Sequence, residues 1–463
     1  MRYSDVSFWL SAAGDLRPRA ALRGTHDADV VIVGAGYTGL WTAWYLRRRR
    51  PDLRIMICES EIAGFGASGR NGAWCSSGIG MSAGGLARRY DVATARAVVG
   101  AMRDTVDEIG RVCETAGIDA QFRKGGMLRV ARGPHEVATM HASTDSYRAL
   151  GLDGGLAELS ADELADRIRI AGAQGAVFDP HCATIHPGRL VRGLATAVED
   201  RGVQVFERTR VTRIEPAVRQ RHARPVVHTR RGRVHADTVV IATEAWTAQL
   251  PGHRRTLLPV YSLIVMTEPL SDRQWDAIGW HGHECLSSHR LTVDYLSRTT
   301  DGRIVFGGRG APYHLGSRIR PRFDRHAATH ELLRSMVGSW FPPLRDVGIS
   351  HQWGGPLGMP RDFLPNFTYD PATGLAGAWG YTGQGVAASN LAGRTLTDLL
   401  TGRSTPLTRL PTAGHRSRRW EPEPLRWLGA RYIQRAFGRA DRRAERTGRA
   451  PRGRSLAERL MRH

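Results

Sequence analysis

Gly34-Ala35-Gly36-Tyr37-Thr38-Gly39 is the stretch whose residue types and spacing carry the most specific chemistry in this chain. Glycine at these three positions suits the binding of a pyrophosphate. Gly34 permits a tight strand-to-helix turn, Gly36 lets a phosphate approach the backbone, and Gly39 lets helix and strand pack closely. The N–H groups of the following helix, Tyr37 and Thr38 among them, present a positive dipole end to the anion. Glu59 lies 20 residues beyond Gly39, where a carboxylate accepts a ribose hydroxyl. The elements that must position these groups are present in order. Val30-Val31-Ile32-Val33 reads as a buried strand, Leu40 to Arg49 as a helix, and Arg54 to Cys58 as a second strand. In a chain with 53 glycines the motif alone is weak. A glycine-rich turn in some other βαβ unit would leave Glu59 without a role, so dinucleotide binding is the stronger reading.

Two further stretches have the same character. Gly64-Phe65-Gly66-Ala67-Ser68-Gly69-Arg70-Asn71-Gly72 is too glycine-rich for the interior of a helix or strand, and small residues suit a backbone running against a ligand. Later, Leu375 to Trp379 reads as a strand that feeds Gly380-Tyr381-Thr382-Gly383-Gln384-Gly385 and then a helix from Ala387 to Leu400. A second helix N-terminus of this kind suits a polarised carbonyl or an anion. Val239 to Thr243 is a buried strand whose small last residues, Ala242 and Thr243, suit passage under a dinucleotide.

At 463 residues the chain should divide into two or three domains. It is 41% apolar, and no stretch reaches the ~18 uninterrupted apolar residues of a membrane span. Met1 to Asp5 leads into no signal-type apolar run, which points to the cytoplasm. Five scattered cysteines without CxxC spacing suggest neither disulfides nor a metal site. The net charge is +22, yet Lys124 is the one lysine among 66 basic residues, a bias that reads as codon usage. From Arg416 to His463 there are fifteen arginines against five acids. A helix is predicted near 424 to 445, docked on the body through Leu425, Leu428, Tyr432, Ala436 and Phe437, with a mostly disordered link beyond. Between the glycine stretches the periodicity predicts a helix over 87–116, a strand over 125–131, a helix over 189–200 opened by His186-Pro187-Gly188, and a hairpin near Arg230-Arg231-Gly232. Strands follow at 261–265 and 304–308.

Together the motif from Val31 to Leu40, the stretch Gly66 to Gly72, Thr300-Asp301-Gly302-Arg303-Ile304-Val305-Phe306-Gly307-Gly308-Arg309, and Gly380 to Val386 resemble the FAD-dependent oxidoreductases of the D-amino-acid oxidase type. The nearest branch looks like the γ-glutamylputrescine oxidase group, and the resemblance covers residues 5 to about 410. It implies FAD rather than NAD, and an α/β fold. A discontinuous Rossmann-like FAD-binding domain of glutathione-reductase type would span 1–85, 186–250 and 350–415. An inserted α+β substrate domain on a mostly antiparallel sheet would span 86–185 and 251–349, leaving 416–463 as the basic tail. By matching positions, Glu59 would bind the AMP ribose, Ser68, Arg70, Asn71 and Gly72 would lie beside the phosphates and flavin, and Val211 would meet the adenine side. Gly380, Gly383, Gln384 and Gly385 would lie near the pyrimidine edge of the flavin. Two departures matter. Relatives often carry an arginine where Asp294-Tyr295-Leu296-Ser297-Arg298 has Ser297, which argues against a simple α-amino-acid carboxylate as the handle. Covalently flavinylated relatives use a cysteine in the C-terminal third, whereas the last cysteine here is Cys285, so FAD is expected to be non-covalent.

What the resemblance implies chemically is hydride transfer from a carbon bearing an amine to flavin N5, followed by hydrolysis of the imine. The substrate would be a small amine or amino acid, and O2 or another acceptor would reoxidise the flavin. The sequence shows no obvious general base. Candidate catalytic side chains are Tyr295, Arg309, Trp353 and Tyr381; packing is the bland reading for each aromatic, and a surface role for the arginine. Two alternatives stay open. One is a membrane-surface dehydrogenase that passes electrons to quinone, with the tail in contact with the membrane. The other is a nucleic-acid-modifying flavoprotein, which lacks the interleaving of aromatic and basic residues such binding uses; no nucleic-acid partner is expected.

Overall fold

The computed structural model describes residues 2–217, 224–308, 313–451 and 455–457. Val30 to Val33 are all buried, as a strand covered on both faces requires. They end the strand Gly24–Val33, which lies parallel between Gly232–Ile241 and Ile55–Cys58, with Val33 opposite both Ile241 and Cys58. The sheet order is Asn366–Asp370, Leu375–Trp379, Gly232–Ile241, Gly24–Val33, Ile55–Cys58, Gln204–Phe206, with the first strand antiparallel to its neighbour. The predicted hairpin at 230–232 joins Val226–Thr229 to Gly232–Ile241, and Val211–Glu215 completes that antiparallel ribbon. The helices Tyr37–Arg49, Pro187–Glu199, Gly385–Leu400 and Val92–Thr115 share one core with this sheet.

A second sheet runs Ile349–Met359, Leu258–Thr267, Ile304–Gly308, Asp294–Arg298, Cys285–Ser288, Met127–Arg132, Ala173–Asp179, Ala157–Ser160. Every adjacent pair is antiparallel except Cys285–Ser288 with Met127–Arg132, which is parallel. Ala327–Trp340 covers one face, with Trp280 and Phe341 stacked at 6.1 Å beside it.

Three features differ from the periodicity. The helix predicted over 87–116 is two helices, Ala83–Arg89 and Val92–Thr115, because the Asp91 carboxylate accepts the Thr94 N–H at 2.6 Å and starts a new helix. Val92–Thr115 packs in the core of the first sheet, and Ile349–Met359 forms the edge of the second. Both therefore lie across the division at 86 and 350.

The C-terminal helix spans Leu425–Thr447, but it docks on a different face from the predicted one. Leu425, Leu428 and Tyr432 are 61%, 51% and 41% exposed. The docked face carries Arg426, Trp427, Ala430, Asp441 and Ala444. Arg426 donates to the Glu423 carboxylate at 3.0 Å and the Arg254 carbonyl at 3.1 Å, while Trp427 and Ala430 pack toward Leu258, Tyr313 and Met359. Arg426 and Asp441 meet partners at both ends of the helix, and satisfying these charged groups turns it by one residue, about 100°, from the purely apolar solution. Much of the link predicted to be disordered, 452–454 and 458–463, lies outside the described residues. Among the described residues no helix is long and apolar enough to cross a membrane.

Candidate active site

The first glycine turn is assembled locally. Gly34 has φ +109°, and a Cβ there would sit 2.6 Å from the Ala242 carbonyl oxygen. A Cβ on Gly39 would lie 2.0 Å from the Gly34 carbonyl oxygen. These two glycines are demanded by the protein itself. Gly36 is different, since a Cβ there would meet only the Ser68 hydroxyl, at 3.0 Å. The helix Tyr37–Arg49 has no side-chain cap on Gly36, and the Tyr37 N–H donates to Ser68 Oγ at 2.9 Å. Glu59 accepts the Ala35 N–H at 2.8 Å and the Glu61 N–H at 3.0 Å. Burial raises its carboxyl pKa, and these donors oppose the rise. Ala242 donates to the Val33 carbonyl at 2.9 Å, and the Thr243 and Thr247 hydroxyls share a hydrogen bond of 2.8 Å. Val211 packs beyond the strand ends with Met56 and Cys58. A helix start without a cap from its own N-cap residue, an open glycine and an acid at the end of the next strand fit the pyrophosphate and ribose of FAD.

The second glycine stretch is a brace between the two sheets. Asn71 donates to the Ser68 carbonyl at 3.0 Å and accepts the Ala73 N–H at 3.0 Å, closing the loop on itself. Trp9, near the N-terminus, donates to the Asn71 carbonyl at 2.8 Å. Arg70 lines the cavity described below, with its guanidinium engaged by the protein. Its guanidinium donates to Asp324 at 2.6 Å, to the Gly354 carbonyl at 3.2 Å and to the Phe65 carbonyl at 2.7 Å, and it lies over the Phe65 ring. Those bonds direct its charge to the second sheet. Trp353 donates to the Arg70 carbonyl at 2.9 Å and is 2% exposed, so it holds this loop and does not line the cavity below it.

The second helix start depends on a residue that the sequence reading missed. Glu244 has φ +42°, and one carboxylate oxygen accepts the N–H groups of Gly380 at 3.0 Å and Tyr381 at 3.2 Å. The other accepts the Gly358 N–H at 2.8 Å. Burial pushes its pKa up against those three donors. Gly380 and Gly383 have φ +87° and +98°. Gly385–Leu400 starts at Gln384 without a side-chain cap, and the Gln384 side-chain amide oxygen, Oε1, accepts the Ser76 hydroxyl at 2.6 Å. Tyr381 is buried, hydrogen-bonded to the Thr38 hydroxyl at 2.7 Å, with Gly385 against its ring. It ties the two helix starts together and is not among the residues that line the cavity between the sheets.

Between the glycine stretches and the second sheet lies a cavity of about 410 Å³. Of the predicted cofactor residues, Arg70, Asn71, Gly72, Gly383 and Gln384 line it, and of the predicted catalytic residues Tyr295 does. The Tyr295 ring lies over Gly72 and Gly307, where any Cβ would fall 2.3 Å and 2.1 Å from it, and its hydroxyl shares a 2.9 Å bond with Ser262. Ser297 is fully buried and donates to the Gly72 carbonyl at 2.9 Å, a structural tie. Arg309 lies outside the described residues. Sequence reasoning also missed Asp294, 2% exposed, which accepts the Ser288 N–H at 2.9 Å and hydroxyl at 2.8 Å; burial raises its pKa. The loop that follows Ser288 is held from the C-terminal helix. Asp441 accepts the N–H groups of Leu291 at 3.0 Å and Thr292 at 2.9 Å, and Arg290 pairs with Glu445 at 2.6 Å. Nothing local in the sequence signals either carboxylate brace.

The arrangement has counterparts. Gamma-glutamylputrescine oxidoreductase of Escherichia coli (strain K12) is 29% identical over 399 residues, covering 86% of this chain and 89% of its own. The probable oxidoreductase OrdL of Haemophilus influenzae is 27% identical over 383 residues, covering 81% and 84%. Among solved structures, glycine oxidase from Geobacillus kaustophilus superimposes with a TM-score of 0.71 at 22% identity, over 85% of this chain and all of that one. Residues 29–399 match the profile of the family DAO, FAD dependent oxidoreductase, and the chain belongs to that family.

Proposed function

We propose that this enzyme oxidises the C–N bond of a small amine or amino acid. The observation that carries the reading is the 410 Å³ cavity, which sets the uncapped glycine helix start at Gln384 against Tyr295 of the substrate sheet. The two helix starts would hold FAD, which would supply the hydride acceptor, and water would hydrolyse the imine product. The chain's own contribution is position and exclusion of water. Gly34, Gly36, Gly39 and Glu59 would hold the nucleotide half, Gly383, Gln384 and Gly385 would meet the flavin ring, and Tyr295 with Ser262 and Trp74 would wall the substrate side. We assign 1–85, 92–115, 186–250 and 360–415 to the nucleotide domain and the second sheet, including Ile349–Met359, to the substrate domain. Non-covalent FAD is supported by the cysteines, all five buried and none lining the cavity. Their free state also suits a cytoplasmic location.

Purified protein should be yellow, and acid precipitation should release FAD to the supernatant. Flavin left in the pellet would overturn the non-covalent claim. Anaerobic bleaching against a panel of amines and amino acids then tests the reaction. With Ser297 engaged by Gly72, an amine carrying a distal polar group should reduce the flavin faster than D-alanine or glycine.

A second reading, a membrane-surface dehydrogenase that passes electrons to quinone, is favoured by one observation. Leu425, Leu428 and Tyr432 are exposed on a helix whose flanks carry Arg435, Arg439, Arg442 and Arg443, a composition suited to an anionic lipid surface. Sedimentation with phosphatidylglycerol vesicles, lost on truncation after Arg419, would favour it. Absence of binding at low salt would remove it.

A further inference from the structure

The cavity has two chemically different ends, and they lie on one row of the second sheet. Arg129 pairs with Ser287, and the pairing of Leu286 with Leu296 places Ser287 opposite Tyr295, which in turn pairs with Gly307. Arg129, Ser287, Tyr295 and Gly307 therefore follow one another across the strands on the cavity side. The Tyr295 ring leans over Gly307 and bonds to Ser262, away from Arg129, so the floor above Ser287 stays open. Two strand spacings of ~4.8 Å put Arg129 about 10 Å from Tyr295 along that row.

The charges around this end are unequal. Arg70 and Arg290 also line the cavity, but each faces carboxylates, Asp324 for the first and Asp441 and Glu445 for the second. Arg129 is half-buried, and its guanidinium has no hydrogen-bond or ion-pair partner among the described residues; neither have the Ser287 and Thr139 hydroxyls, which line the same cavity. His289 adds no charge near pH 7, since burial and the Arg129 guanidinium push it down to about 4.

Resting on the reading of this cavity as the substrate site, we propose that its far end is a carboxylate subsite with Arg129 as its cation. The substrate is then an amine whose carboxylate lies four to six atoms along the chain from the reacting nitrogen. A guanidinium takes a carboxylate through two parallel N–H donors, and the hydroxyls of Ser287 and Thr139 complete the polar end. An α-amino acid cannot reach both ends at once, in keeping with the absence of a cation at Ser297.

Holoenzyme is compared for anaerobic flavin reduction by 5-aminopentanoate, pentylamine and glycine, and for calorimetric binding of pentanoate, which has no amine to oxidise. The half-saturating concentration of 5-aminopentanoate should be about ten- to a hundred-fold below that of pentylamine, the range of a charge-assisted bond. Arg129→Gln should erase that ratio and the pentanoate heat at unchanged FAD content, with the pentylamine limiting rate within twofold, and Arg129→Lys should restore part of the ratio. A ratio that survives in Arg129→Gln, or pentanoate binding equal in both proteins, overturns the subsite. Pentanoate binding that depends on Arg129 while no amine bleaches the flavin upholds the subsite and instead overturns the proposed reaction.

Discussion

At Gly34–Gly39 a helix start is made from one continuous stretch, with its strand, turn, helix and acid between Asp29 and Glu59. At Gly380–Gly385 a similar uncapped start is held by Glu244, 136 residues away from Gly380 in the sequence. The first is fixed by sterics, since the backbone itself leaves no room for a Cβ at Gly34 or Gly39. The second is fixed by electrostatics, one buried carboxylate gathering three backbone N–H groups. The two are bonded to each other through Tyr381 and Thr38. A rigid local anchor and a remote, charge-set one are therefore joined, and they should fail differently.

Gly36→Val should produce the largest functional loss. The position is open to all but Ser68, so the chain should fold and purify, yet FAD affinity should fall by at least about a hundred-fold because the branched Cβ occupies the space of the pyrophosphate. Circular dichroism with the absorbance at 450 nm reads both. Stoichiometric FAD in this variant would make the motif a structural turn. Gly39→Val sharpens the contrast, because its Cβ meets backbone and the chain should not fold.

Glu244→Ala comes next. It strips three N–H groups of their acceptor, a loss of about 3 kcal/mol in thermal or denaturant unfolding, and it should loosen the second helix start without touching the first. Glu244→Gln keeps the size and one carbonyl acceptor and should recover part of that loss. Equal stability of Ala and Gln variants would mean that the carboxylate only fills space. Glu59→Ala removes one ribose contact from the local anchor and should weaken FAD roughly tenfold by titration of apoprotein.

The contrast explains what could be read in advance. The pair Gly24–Val33 and Ile55–Cys58 was legible because Val30 to Val33 and Ile55 to Cys58 are apolar runs next to glycine and acid signals, and their pairing lies within one βαβ unit. The Leu375–Trp379 strand and the helix after it were legible for the same reason. The cavity was not. Its floor joins Met127–Arg132 to Cys285–Ser288, a parallel pairing across more than a hundred residues that no periodicity announces. Glu244 looked like one more residue after a strand, and Arg129 like one arginine among many. The tail was half legible. Its helical period was plain, but the docked face is chosen by Arg426 and Asp441, whose partners Glu423, Arg254, Leu291 and Thr292 are set by the fold.

Tyr381→Phe tests the bond between the two anchors. It removes the 2.7 Å contact with Thr38 and leaves the ring in place. Stability should drop by about 1 kcal/mol, with the rate of flavin reduction within twofold. A tenfold fall in that rate at unchanged FAD content would return Tyr381 to the reacting atoms.

The smallest effect should come from a third carboxylate of the same kind. Asp441, 4% exposed, collects the N–H groups of Leu291 and Thr292 and the Thr292 hydroxyl, as Glu244 collects those of Gly380, Tyr381 and Gly358. The difference is what each holds. Glu244 holds the backbone of the second helix start, whereas Asp441 holds the loop that carries Arg290 and Val293 into the cavity wall. That loop lies toward solvent, so its N–H groups find water when the carboxylate is removed, and the cost is order rather than desolvation. Asp441→Ala should therefore leave FAD content and kcat within twofold and raise KM by roughly three- to tenfold, since a loosened wall binds substrate less well before and during reaction alike. Truncation after Ala444 keeps Asp441 and should leave KM nearly unchanged, while truncation after Arg419 should reproduce the Asp441→Ala value and also lower the melting temperature. If Asp441→Ala instead lowers kcat with KM constant, the C-terminal helix acts on the flavin side of the cavity, and the division between the anchors of cofactor and substrate fails.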